Sequence, residues 1–216
     1  MIRAAVFDVD GTLLDSLGVW PDAGEELLSR YGKTPKPELY DDFFTVTLPE
    51  GARMLREVYE LQPEPDELAA EMIQIVRRHY AQQVPLKPGA AGFLAALQEH
   101  DIPMAIVSSG TEHLIRQAFD RLDITKYFQH IYGASDLGRN KRNPGLFLQA
   151  AESLAAKPAD TWVFEDALYA IQVVKSAGFH TVGISDGHSA AEQHIRDVAD
   201  LFWEEYPAEI PPQMMR

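Results

Sequence analysis

The chain has 216 residues, 46% of them hydrophobic, which is enough to bury one large core or a core carrying an inserted second unit. Its 33 acidic and 19 basic side chains leave a net charge of -14, which opposes a nucleic acid polymer or an anionic membrane surface as partner. There is no cysteine, so disulfides, thiolate metal sites and thiol catalysis are excluded, and the composition fits a cytoplasmic protein.

The opening stretch "MIRAAVF" carries one basic residue and an apolar run too short for a signal peptide or a membrane span. It predicts the first core strand of a soluble protein. The run leads into "DVDGTLLDS", where strand alternation sends Asp8 and Asp10 to the same side. Two carboxylates ~4–5 Å apart repel by up to about 4 kcal/mol at an effective dielectric near 20, so something must offset that repulsion.

Residues 16–83 read as a helical insertion, with helices in "VWPDAGEELLSRY", "GARMLREVYEL" and "PDELAAEMIQIVRRHY" and a polar, aromatic passage "KPELYDDFFTVTLPE" among them. Pro85, Pro88 and Gly89 punctuate the return. The crossings near Ser16 and Pro85 would serve as hinges for a lid. From Lys87 onward helices and strands alternate. Helices are expected in "PGAAGFLAALQEH", "TEHLIRQAFDRL", "PGLFLQAAESLAA", "LYAIQVVKSAG" and from about Ser189. Strands are expected in "IPMAIVSS", "HIYGAS", "TWVFED", "HTVGIS" and "ADLFW". This order predicts a Rossmann-like, doubly wound parallel α/β core built from residues 1–15 and 84–216, with 16–83 as an α-helical cap.

In such sheets ligands bind beyond the carboxyl ends of the strands. Three strand ends carry chemistry: Asp8 and Asp10; Ser108 and Ser109; Glu165 and Asp166. Lys141 lies in a loop between the last two. Four carboxylates and one lysine leave about three negative charges, which calls for a hard divalent cation, magnesium first. Asp8, Asp166 and Glu165 can offer carboxylate oxygens, and Asp10 its backbone carbonyl. Ser108 and Ser109, next to Gly110 and a helix start, offer donors to a phosphate, and Lys141 adds a compact cation. An aspartate can then attack phosphorus, and a second carboxyl two residues on can move the leaving-group proton.

The ordered stretches "DVDGTLLDS", "VSSG", the lysine of "NKRNPGLFLQAAE" and "VFEDALYAIQVVKSAGF" resemble the four motifs of the haloacid dehalogenase superfamily. The branch most similar is that of helical-capped phosphatases and beta-phosphoglucomutase-like members, and the resemblance spans nearly the whole chain. It implies Asp8 as nucleophile, Asp10 as acid and base, Ser108 and Lys141 as phosphate ligands, and Glu165 with Asp166 at the magnesium. Where family members often read K-P-x-P-D, this chain has Lys141, Arg142, Asn143, Pro144 and Gly145.

The expected activity is magnesium-dependent hydrolysis of a small phosphomonoester, a sugar phosphate foremost, through an aspartyl phosphate. The alternatives are a phosphomutase, and a non-catalytic binding protein on the same fold. Mutases of this branch carry a cap-loop arginine where Leu48 stands, and a lysine after the serine where Thr111 and Glu112 stand. Phe44 and Thr47 of the cap, with His113 and Arg142 of the core, are candidate substrate contacts. Tyr40, Phe43 and Trp20 read as packing residues.

Overall fold

The computed structural model describes residues 1–36, 48–187 and 191–215. They form two compact units, one of Met1–Leu17 and Val84–Arg216, the other of Gly18–Gln83.

The larger unit is built on a six-stranded parallel sheet. In chain order its strands are β1 (Ala4–Phe7), β2 (Met104–Ser108), β3 (Phe128–Gly133), β4 (Thr161–Glu165), β5 (His180–Ile184) and β6 (Leu201–Trp203). Across the sheet they run β3-β2-β1-β4-β5-β6. Every residue of β1, β2 and β4 is buried, which explains why "AAVF", "MAIVS" and "TWVFE" read as continuous apolar runs rather than alternating ones. The outermost strands β3 and β6 are only partly covered, as edges must be.

Helices α4 (Ala90–Glu99), α5 (Glu112–Arg121), α6 (Gly145–Ser153), α7 (Leu168–Ser176) and α8 (Glu192–Val198) supply the connections. Strand alternation divides the core into two layers. Ala4 and Val6 of β1, Ala105 and Val107 of β2 and Val163 of β4 pack with Leu146, Phe147 and Ala150 of α6. On the residues between them, Phe7 and Phe164 stack with centroids 4.2 Å apart, and Phe93 of α4 meets Phe164 edge-on at 5.5 Å.

The smaller unit consists, among the described residues, of α1 (Val19–Arg30), α2 (Leu48–Tyr59) and α3 (Pro65–Gln82). The start of α3 is set by a capping box: Glu67 returns its carboxylate to the Glu64 backbone N–H at 3.1 Å, and Pro65 occupies the first turn, where no N–H is needed. Ala23, Leu27 and Leu28 of α1 and Leu68, Met72, Ile75 and Val76 of α3 are buried at the spacing their apolar periodicity predicts. Phe44 and Thr47, together with Tyr40 and Phe43, lie outside the described residues.

Candidate active site

β1 stops at Phe7, but the chain stays in register for one more hydrogen bond, from the Asp8 N–H to the Phe164 carbonyl of β4 at 3.0 Å. This fixes Asp8 at the carboxyl edge of the sheet beside Glu165 and Asp166. The following residues fold into a tight turn in which the Leu13 and Leu14 N–H groups both donate to the Val9 carbonyl and the Gly11 N–H donates to the Leu14 carbonyl. Gly11 has φ +81°, and a Cβ there would stand 2.2 Å from Asp166 Oδ2. Only glycine lets the turn approach that carboxylate.

Lys141 brings positive charge to the acidic strand end. Its ammonium donates to Asp8 Oδ1 and to Glu165 Oε2, both at 2.6 Å, and all three side chains are at most 5% exposed. Burial by itself would push the lysine down; the facing Asp8 and Glu165 carboxylates instead hold it well above its ordinary value. Two short-range turns steady the loop that carries it, with Asn140 Oδ1 accepting from the Arg142 N–H and Asn143 Oδ1 from the Gly145 N–H.

Asp8, Glu165 and Asp166 offer oxygen atoms within 4.8 Å of one another. One ammonium does not neutralise three carboxylates. Burial and the Asp8 charge push Asp166 up to about 7 and Glu165 well above the carboxylate range. A donor set made only of hard oxygens, compressed and short of positive charge, fits a small divalent cation. Asp10, like Asp8, follows the end of β1. Its Oδ1 accepts from Ser16 Oγ at 2.7 Å, and its carboxylate is not in the three-carboxylate cluster. Thr12 Oγ1 donates to Asp166 Oδ1 at 3.1 Å, and the Ala167 N–H to Glu165 Oε1 at 3.2 Å.

Ser108 is fully buried at the end of β2, and its Oγ accepts the Gly110 N–H at 3.0 Å. Ser109 is exposed, and its carbonyl accepts from Ser135 Oγ at 2.7 Å. At the start of the following helix the Glu112 N–H donates to Asp136 Oδ2 at 2.6 Å. His113 is exposed and pairs with Gln117 on its own helix, and Arg142 is exposed with its guanidinium over the Tyr169 ring. Neither is brought to the carboxylates by any hydrogen bond or ion pair among the described residues. Leu48 opens α2.

The geometry also shows residues that sequence reading passed over. Thr12 and Ser16 lie inside or next to the first motif and were legible as polar neighbours of the aspartates. Asp136 and Ser135 carry no local signal.

A family model described as haloacid dehalogenase-like hydrolase matches residues 5–184. The chain belongs to that family. This haloacid dehalogenase-like hydrolase is 24% identical over 196 residues to a phosphorylated carbohydrates phosphatase of Thermotoga maritima, covering 88% of this chain and 91% of the relative. It is 29% identical over 212 residues to a phosphoglycolate phosphatase of Shigella dysenteriae, covering 88% and 84%. In fold it matches a Thermotoga maritima structure provisionally described as a beta-phosphoglucomutase, with a TM-score of 0.85 at 23% identity over 94% of both chains. Family and phosphatase relatives together make the chain an enzyme of the phosphoric monoester hydrolase type. No described helix is long and apolar enough to cross a membrane.

Proposed function

We propose that this hydrolase is a magnesium-dependent phosphatase of small phosphomonoesters, sugar phosphates foremost, working through an aspartyl phosphate on Asp8. The observation that carries the reading is the Asp8 carboxylate, buried at the sheet edge and held at 2.6 Å by Lys141 within a cluster of three carboxylates. The phosphorylated-carbohydrate phosphatase among the relatives supports the choice of sugar phosphates.

Asp8, Asp166 and Glu165 are the residues that would hold the metal. When bound, magnesium offsets charge on the phosphoryl oxygens and on the clustered carboxylates. Lys141 bonds Asp8 Oδ1 and orients the carboxylate for attack on phosphorus. Asp8 attacks, a bond forms from its oxygen to phosphorus, and the bond from phosphorus to the ester oxygen breaks. Asp10, steadied by Ser16, gives that oxygen its proton. Water then attacks the phosphoryl group, Asp10 takes the proton, and Asp8 is released with inorganic phosphate. Ser108 and Lys141 steady the phosphoryl oxygens, and the Gly18–Gln83 unit acts as the cap that selects small esters.

Release of phosphate from a panel of sugar and aryl phosphates, with magnesium and with a chelator, tests the reading. Phosphate equal to the ester consumed, only when magnesium is present, is the expected result. Conversion of glucose 1-phosphate to glucose 6-phosphate with little phosphate freed would show a mutase instead.

A further inference from the structure

Tyr206 lies in the C-terminal segment, beyond the residues 5–184 that the family model matches, yet its side chain ends at the first motif. The ring packs among Phe93 at 5.6 Å, Trp203 at 5.9 Å and Phe164 at 6.4 Å. Phenylalanine would fill such an apolar slot without the cost of burying a hydroxyl. The hydroxyl is there, 5% exposed as a residue, and it donates to the Thr12 carbonyl at 3.3 Å.

Thr12 is fully buried and donates its own hydroxyl to Asp166 Oδ1 at 3.1 Å. A continuous path therefore runs from the phenol through one residue to the carboxylate. Its outer end is held at the backbone. The Tyr206 N–H donates to the Pro88 carbonyl at 3.2 Å. Gly89, at φ +78°, passes so close that a Cβ would stand 2.3 Å from the Tyr206 carbonyl oxygen.

We propose that Tyr206 is a positioning residue: by bonding the Thr12 carbonyl it aligns the Thr12 hydroxyl, and so sets the Asp166 carboxylate for the metal. This rests on the reading that Asp166 holds magnesium. The phenol touches neither metal nor substrate, and its effect passes through Thr12 alone.

Magnesium binding is measured by titration calorimetry on the full chain, for wild type, Tyr206→Phe, Thr12→Val and the double variant, with the thermal midpoint of each in chelator. Tyr206→Phe should weaken binding about 3- to 10-fold, less than the 10–100-fold typical of a group bonded directly to a metal ligand. Thr12→Val should weaken it more, and the double variant should bind no more weakly than Thr12→Val, because both changes break one path. Trp203→Phe, which disturbs the same aromatic cluster and leaves the hydroxyl, should lower the thermal midpoint and leave magnesium affinity unchanged. Unaltered binding by Tyr206→Phe, or losses that multiply in the double variant, would overturn the assignment while wild-type binding keeps the magnesium reading intact. Wild type that binds no magnesium would overturn both.

Discussion

Lys141 shows how one residue converts a liability into a site. Asp8 and Glu165 are each at most 3% exposed, and either charge alone would be costly to bury. The ammonium between them bonds both carboxylates at 2.6 Å and offsets that cost. Lys141→Met should therefore do more than slow the enzyme. Removing one partner of a buried ionic cluster costs about 3–5 kcal/mol, and denaturant unfolding in chelator should show a loss of that size. A loss below about 1 kcal/mol would mean that the carboxylates share protons instead and do not need the lysine. Asp8→Asn tests the other partner: it removes a charge from a crowded site, so the fold should hold while turnover and phosphoryl labelling vanish. Substantial activity in folded Asp8→Asn would falsify the covalent route.

At the scale of elements, α1 and α3 are tied by a charged cluster around Glu26. Its carboxylate accepts from Arg78 and from Arg30, the latter at 2.8 Å, and meets His79 Nε2 at 3.3 Å. The Arg78 guanidinium, more than any other group, lowers Glu26 from 4.5 to about 2. Because the folded value lies below the unfolded one, the contribution is full above about pH 4.5 and disappears as the pH falls toward 2. Glu26 is 34% exposed, so solvent screens the interaction and the effect is small. Unfolding curves of wild type and Glu26→Gln should differ at pH 6 and converge by pH 2. A gap that stays constant over that range would mean the pairing adds nothing and the helices are held by their apolar faces alone.

For the whole molecule, the clustered carboxylates couple metal to stability. An ion bound only by the native state adds about 2.7 kcal/mol at a hundred times its dissociation constant. Magnesium should raise the thermal midpoint of the wild type, chelator should reverse the rise together with activity, and Asp166→Asn should abolish most of it. A midpoint indifferent to magnesium would place the ion elsewhere or nowhere.

The sequence alone determined the strand and helix order and the polar residues at the ends of the buried strands. Buried parallel strands are continuous apolar runs, and chemistry at their ends falls at the first polar residue after each run. Asp8, Ser108, Glu165 and Asp166 were legible for that reason. Lys141 was legible as a cation between two such ends, though not as the residue bridging Asp8 to Glu165. Only the tertiary structure decided how the polar groups pair. It gave Asp10 to Ser16, capped α5 with Asp136, and left His113 and Arg142 at the surface. It also brought Tyr206 to Thr12 across 194 residues of chain. Apolar runs report burial through local periodicity, whereas a hydrogen bond is made by whatever the packed layers bring within about 3 Å.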